Sequence, residues 1–109
     1  MKKIDLFLQT IIYKVIEDLS DASIHYLIHA RYFFYDTQMN DYEPIHLNKD
    51  SIRRIELLNV GFKCKMMLDG KDKDDIFSIV IPFHLIRSIS RFSRSEFKNQ
   101  EMLFSKSLI

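Results

Sequence analysis

Glycine, proline and cysteine are scarce in this chain of 109 residues, which has two glycines, two prolines, one cysteine and no tryptophan. A glycine-rich phosphate loop needs several closely spaced glycines, so this composition excludes one. With Cys64 as the single cysteine, the chain forms neither an internal disulfide nor a metal site made of thiolates alone. Such sparing use of cysteine fits a reducing compartment, and we expect a cytoplasmic protein.

Charge of either sign is not in excess, because 16 lysines and arginines face 15 acidic residues and leave a net charge of +1. A dedicated DNA-binding protein usually has a clear basic excess, so the balance argues against that class. Long apolar runs are also missing. Asp5, Gln9 and Lys14 interrupt the N-terminal segment, which therefore predicts neither a signal peptide nor a membrane span. No membrane partner is expected.

Apolar residues, by contrast, are plentiful, with 47% hydrophobic and 13% aromatic residues. This composition is typical of a folded chain, and the length allows a single domain over residues 1–109. A domain of this size buries a limited core. The generous apolar content therefore favours a homodimer or an apolar ligand groove.

An amphipathic helix is predicted over residues 3–19. Its apolar stripe consists of Ile4, Leu8, Ile11, Ile12, Val15, Ile16 and Leu19. Leu6, Phe7 and Tyr13 widen the apolar surface beyond what one sheet covers. This surface either meets a partner subunit or packs on the core of its own subunit.

The rest of the chain is predicted to be mostly strands, at residues 23–35, 45–48, 61–68, 76–81 and 101–104. A turn or short helical segment is expected over residues 49–55, and a solvated hairpin turn over residues 69–75. After Pro82 the apolar residues fall at helical spacing, which predicts a short helix over residues 85–92. The fold class is therefore α+β: an N-terminal helix followed by five antiparallel strands bent into a small, partly open barrel.

Candidate catalytic and metal-binding groups do not form a constellation. On a strand, His25 and His29 would lie about 13 Å apart at ~3.3 Å per residue, too far to hold one metal ion. His46 is isolated in the sequence and has no recognisable partner. Cys64 is predicted to be a buried structural thiol, since its lysine neighbours point to the other face of the strand. We therefore expect no cofactor, no metal and no enzymatic activity.

A first candidate binding surface is apolar. Met66, Met67 and Leu68, close to Leu47 and Ile52, have soft side chains that suit an extended peptide. The alternative is that these side chains belong to the core.

A second candidate surface is basic. Arg87, Arg91 and Arg94 are spaced to share one side of the helix predicted after Pro82. They either contact RNA phosphates or form a solvated face that complements the helix C-terminus.

Three segments in this order resemble the stringent starvation protein B family, the SspB adaptors. The first is Ile45-His-Leu-Asn48, the second the strand from Gly61, and the third Ser78-Ile-Val-Ile-Pro-Phe83. The resemblance continues through residues 85–92 to Met102-Leu-Phe104 and covers roughly residues 10 to 105.

The resemblance implies an Sm-like bent barrel, an N-terminal helix used for dimerisation, and a groove that holds the ssrA tag. Transfer-messenger RNA adds this tag to stalled nascent chains. Adaptors of the family pass ssrA-tagged polypeptides to the ClpX unfoldase and its peptidase, together ClpXP, and break no bond themselves. The chain would then be a tether that raises the effective concentration of substrate at the unfoldase.

Carried over position by position, the resemblance implies a peptide-binding groove formed by Asn48, Ile52, Arg53, Met66 and Leu68. The same comparison implies a dimer interface at Ile12, Tyr13 and Ile16. Family members usually continue into an acidic linker and a short tail that docks on ClpX, and neither is seen before Ile109. Binding of the tag and delivery to ClpX are therefore separate expectations. The alternative function is a small Sm-like module that binds RNA through Arg87, Arg91, Arg94 and Lys98.

Overall fold

The computed structural model describes residues 3–21, 23–34, 37–38, 40–66, 76–93 and 96–106. One helix, α1 (Lys3–Asp18), precedes the strands. The strands are β1 (Ile24–Ala30), β2 (Phe33–Phe34), β3 (Thr37–Gln38), β4 (Glu43–Leu47), β5 (Ile52–Leu57), β6 (Gly61–Met66), β7 (Phe77–Pro82), β8 (Ile86–Ser93) and β9 (Glu96–Ser105). A single 3₁₀ turn, Phe83–Leu85, joins β7 to β8.

Helix α1 forms because its apolar residues recur at helical spacing, and it packs on β5 and β6 through that stripe. Leu8, Ile11, Ile12 and Val15 are buried. The predicted helix is confirmed, ending one residue early at Asp18. Within the described part of the chain, no helix has the length and apolar character needed to cross a membrane.

Two antiparallel sheets enclose the core. One sheet has four strands in the order β4-β1-β8-β9, and the other has five in the order β3-β2-β7-β6-β5. Inward-facing side chains of both sheets meet in one cluster with α1, including Ile28, Ile45 and Ile89 from the first sheet and Phe62 and Ile81 from the second. An α+β fold with an N-terminal helix and antiparallel strands is therefore confirmed. The described strands form two sheets and not a closed barrel, and they outnumber the five that were predicted.

The predicted strand over residues 23–35 is divided between the two sheets. β1 ends at Ala30, two residues without regular secondary structure follow, and β2 begins at Phe33 in the other sheet. Backbone pairing holds the crossing in place, because the N–H of Arg31 donates to the carbonyl of Leu85 over 3.1 Å. Alternation predicted the strand correctly, but it does not show where a strand changes sheets.

The prediction of a helix after Pro82 is wrong, since only the 3₁₀ turn Phe83–Leu85 is helical and strand β8 follows it. The cause is a β-bulge. His29 pairs with Ser88 and Ala30 pairs with Ile86, so Arg87 is an extra residue in β8. The extra residue lets Ile86 and Ile89 both face the core although they are three positions apart, which mimics the spacing of a helix.

Two further predictions change. Residues 49–55 were expected to be a turn or a short helical segment, but β5 begins at Ile52 and only the part before it turns. The terminal strand, expected over residues 101–104, is the longer β9. The predicted hairpin turn over residues 69–75 lies outside the described residues.

Candidate functional site

Residues predicted to bind a peptide meet at one corner of the molecule, where the chain leaves the four-stranded sheet and enters the five-stranded one. Asn48 directly follows β4, and its carbonyl accepts a hydrogen bond of 3.1 Å from the N–H of Ile52, the first residue of β5. Ile52 is paired with Met66, the last residue of β6. The structure therefore brings Asn48, Ile52 and Met66 together, although Asn48 and Met66 are 18 positions apart in the sequence.

The other two predicted peptide-binding residues are less fully described. Arg53 is the extra residue of a bulge in β5, because Ile52 pairs with Met66 and Arg54 pairs with Lys65. Its side chain lies outside the described part of the structure, as does the whole of Leu68. Bulges often occur beside binding sites, where they break the regular pairing of an edge. The position of Arg53 at the corner is thus consistent with its predicted role.

The apolar members of the corner are buried. Met66 is 1% exposed and Ile52 is 9% exposed, and both belong to the core. The Cys64 thiol lies 3.5 Å from the Met66 sulfur within the same core. The structure therefore places the side chains of Met66 and Ile52 in the core, which was the alternative to a peptide-binding surface. Other groups form the surface of the corner.

Asn48 forms the polar surface of the corner and holds its turn. Its Oδ1 accepts hydrogen bonds from the backbone N–H groups of Asp50 at 3.0 Å and Ser51 at 2.9 Å. This Asx-type turn is a common use of asparagine after a strand. Nδ2 lies 3.2 Å from Nδ1 of His25, which connects the turn to β1.

Two histidines form a pair beside Asn48. Nε2 of His25 lies 2.9 Å from Nδ1 of His46, so one ring donates a hydrogen bond and the other accepts it. The His25 ring also meets Phe92 edge-on, with 6.1 Å between ring centroids. We name His25, His46, Asn48, Ile52 and Met66 the corner site.

The sequence does not reveal this pair, because His25 and His46 are 21 positions apart. The antiparallel register of β1 and β4 sets Leu27 opposite His46, which makes His25 its diagonal neighbour on the outward face. Only this register identifies the contact. His29 instead lies 3.3 Å from the Ser88 hydroxyl. His25 and His29 lie on the same strand, as predicted. Among the described residues, no group of three or more metal-ligating side chains is present.

The arginines predicted to share a helical face are separated. Arg91 pairs with Asp18, with Nε and Oδ2 3.4 Å apart, and its Nη1 lies 4.0 Å from a Glu101 carboxylate oxygen. Arg87 instead lies over the ring of Tyr42, 5.6 Å from the ring centroid. Arg94 and the side chain of Lys98 lie outside the described residues. Arg87 and Arg91 therefore have different surroundings and do not form one binding face.

Cys64 is 2% exposed, and burial raises the pKa of its thiol to about 12. Because the thiolate is the reactive form, a thiol held protonated at neutral pH is a poor nucleophile. The burial predicted for Cys64 is confirmed.

The predicted dimer residues differ in exposure. Ile12 is fully buried in the core of its own subunit, and Ile16 packs partly buried against it. Tyr13 is 60% exposed and lies on the outer side of α1 with Leu6 and Phe7, which are about half exposed. Of the three residues, only Tyr13 presents most of its side chain to a partner.

Two depressions lie away from the corner site. A cleft of about 430 Å³ between the first turns of α1 and the 3₁₀ turn is lined mainly by Ile4, Leu8, Val60, Phe83 and Phe104. A shallow depression of about 210 Å³ on the outer face of the five-stranded sheet is lined by charged residues, among them Arg54, Glu56, Lys63 and Lys65. The cleft beside α1 is mainly apolar, whereas the depression on the sheet has three cationic side chains and one carboxylate.

Comparison with models of protein families found no match to this chain, and comparison with curated proteins found no significant match.

Proposed function

We propose that this protein is a non-enzymatic adaptor of the SspB type, which binds an ssrA-type degradation tag and increases its delivery to ClpXP. The ordered resemblance of residues 45–104 to that family supports this proposal. So does the agreement between the matched segments and the strands, since β6 and β7 form a regular antiparallel pair between the second and third segments. The Sm-like description of the fold is part of the same proposal.

The observation that carries the proposal is the position of the corner site between two sheet edges. Among the described strands, β4 is the outermost strand of its sheet and β5 the outermost strand of the other. Edge strands present backbone N–H and C=O groups that an extended peptide pairs with, and neighbouring side chains then provide specificity. At the corner those side chains are Asn48, His25 and His46.

The buried pair of Ile52 and Met66 has a supporting role in this arrangement. The two side chains hold the start of β5 against β6 and fix the turn at Asn48. A rigid edge loses little conformational entropy when a peptide binds, which favours affinity. The adaptor then works by tethering, because a bound substrate is kept near the unfoldase at a high effective concentration.

The test is fluorescence anisotropy with a labelled ssrA-type tag peptide and a scrambled peptide of the same composition. We expect saturable binding of the tag alone. Asn48→Ala should weaken it about tenfold, the loss of one hydrogen-bonding side chain. The matched control is Asn59→Ala, an exposed residue in the turn between β5 and β6.

A second experiment changes the peptide and leaves the protein intact. Tag peptides with N-methylated backbone amides cannot donate hydrogen bonds to a sheet edge, so we expect weaker binding at alternate positions. Absence of tag binding at high micromolar concentration contradicts the proposal. Binding of the tag without faster degradation of a tagged substrate by purified ClpXP contradicts only the delivery step.

A further inference from the structure

Two arginines share one aromatic ring at the opposite end of the four-stranded sheet from the corner site. The guanidinium carbon of Arg31 lies 4.8 Å from the centroid of the Tyr42 ring, and that of Arg87 lies 5.6 Å from the same centroid. Both distances are within the range of a cation–π interaction. The ring holds both cations in one small region of the surface.

The fold positions all three residues for this contact. Arg31 and Tyr42 are next to Ala30 and Glu43, which form the last paired position of β1 and β4. Arg87 is the extra residue of the bulge in β8, which lies opposite the end of β1. Bulges redirect a side chain relative to the regular alternation of a strand, and this one adds a second cation near Arg31.

No described carboxylate neutralises these two cations. The acidic residues on either side of Tyr42 are Asp41, which is exposed, and Glu43, which accepts a hydrogen bond of 2.9 Å from the Tyr32 hydroxyl. The other titratable neighbours are His29, His84 and Lys106. His29 is hydrogen-bonded to the Ser88 hydroxyl, and Nζ of Lys106 donates a hydrogen bond to the backbone carbonyl of His84. Arg91 contrasts with both cations, because Asp18 and Glu101 neutralise it.

The Arg31 side chain also has an unused donor. Its Nε is buried, and no described group accepts a hydrogen bond from it. A buried donor without an acceptor lowers stability, so an acceptor that reaches the Nε edge of the guanidinium would be stabilised there. Arg87 is exposed, so an acceptor in the solvent can reach its guanidinium group.

We propose that Arg31, Tyr42 and Arg87 form a binding site for a phosphate group. A guanidinium fork matches phosphate oxygens in pairs, and a phosphate has enough oxygens to accept from two guanidinium groups at once. Its negative charge also offsets the repulsion between two neighbouring cations. The site is separate from the corner site, so it does not depend on tag binding.

The test is the binding of inorganic phosphate at constant ionic strength, with chloride as the reference anion, followed by calorimetry and by the thermal unfolding midpoint. We expect phosphate to raise the midpoint relative to chloride. Arg87→Gln should weaken binding about tenfold, because one charge-assisted contact is lost. Arg54→Gln is the charge-matched control, since Arg54 is an exposed arginine on the other sheet.

Arg31 is partly buried, so Arg31→Gln is read together with Tyr42→Leu, which removes the shared ring and leaves both charges. Two oligoribonucleotides, with and without a 5′-phosphate, identify the source of the phosphate. Binding that needs the 5′-phosphate indicates a monoester, equal binding of both indicates the RNA backbone, and binding of inorganic phosphate alone indicates a small ion. Phosphate affinity that Arg87→Gln and Tyr42→Leu leave unchanged, or no difference between phosphate and chloride, overturns the proposal.

Discussion

The phenol of Tyr26 donates a hydrogen bond to Oδ2 of Asp18, which joins strand β1 to the last residue of α1. Nε of Arg91 on β8 donates to the same oxygen over 3.4 Å. One carboxylate therefore ties the end of the helix to two neighbouring strands of the four-stranded sheet. These contacts attach the C-terminal end of the helix to the four-stranded sheet.

Replacing Tyr26 by phenylalanine tests how much the hydrogen bond to Asp18 contributes to stability. The ring stays buried, but the hydrogen bond to Asp18 is lost, and we expect the free energy of unfolding to fall by about 1–2 kcal/mol. Tyr13→Phe is the control, because Tyr13 is 60% exposed and should change stability by less than about 0.5 kcal/mol. Urea unfolding followed by circular dichroism measures both. Equal changes in the two variants would show that the contact contributes nothing.

Stability at alkaline pH is expected to depend on Tyr32. Burial, followed by the hydrogen bond to Glu43, raises the pKa of Tyr32 from its ordinary value of 10.0 to about 12. The unfolded chain therefore releases this proton at lower pH than the folded chain does. The stabilisation is complete below pH 10 and is lost as the pH rises to about 12.

Urea midpoints of the parent protein and of Tyr32→Phe, measured from pH 9 upwards in steps of about half a pH unit, check this expectation. The parent should lose stability more steeply than the variant, because only the parent has the Tyr32 phenol with its raised pKa. Parallel curves for the two proteins would contradict the assignment.

The helix and the regular strands could be predicted from the sequence, because their apolar side chains recur on one face of the element. The stripe of Leu8, Ile12 and Val15 recurs every three or four residues, and it is buried as α1 requires. In the same way β6 alternates between buried Phe62 or Cys64 and exposed lysines. Periodicity of this kind is set by the backbone geometry of one element and needs no knowledge of the rest of the fold.

The sequence-based predictions are wrong or incomplete where the pairing of one strand with another determines the local structure. The bulge at Arg87 is a shift in the pairing of β8 with β1, and the spacing of apolar residues alone cannot show it. The pairing of His25 with His46 likewise depends on the register of β1 against β4. The residues next to Arg87, His25 and His46 in the sequence indicate neither the bulge nor the histidine contact.

The candidate peptide site was predicted in part for the same reason. The sequence resemblance located Asn48, Ile52 and Met66, and the turn after β4 does bring them together. Alternation correctly set Met66 on the same face as Phe62. It does not show that the helix and the four-stranded sheet cover that face, which is what buries Met66.

Gly61, at the start of β6, is expected to resist substitution. A Cβ added there would lie 2.4 Å from the carbonyl oxygen of Ile81 and 2.8 Å from Cα of Pro82, both backbone atoms that cannot move aside on their own. We expect Gly61→Ala to lower the free energy of unfolding by about 1–3 kcal/mol, the usual effect of overpacking. Val60→Ala is the neighbouring control, because Val60 is 63% exposed. A Gly61→Ala variant as stable as the parent would mean that β6 and β7 approach each other less closely.

Cys64 is expected to report on unfolding of the core. Its thiol is 2% exposed, and burial raises its pKa to about 12, so few thiolates form at neutral pH and few reagents reach them. We expect a disulfide reagent at about pH 8, near the ordinary thiol pKa, to label the native protein slowly. Labelling should accelerate with urea over the same range in which circular dichroism follows unfolding. Destabilising Gly61→Ala should speed labelling in the absence of urea, because Gly61 and Cys64 lie on the same strand. Rapid labelling of the native parent protein would instead show that the space between the two sheets opens without global unfolding.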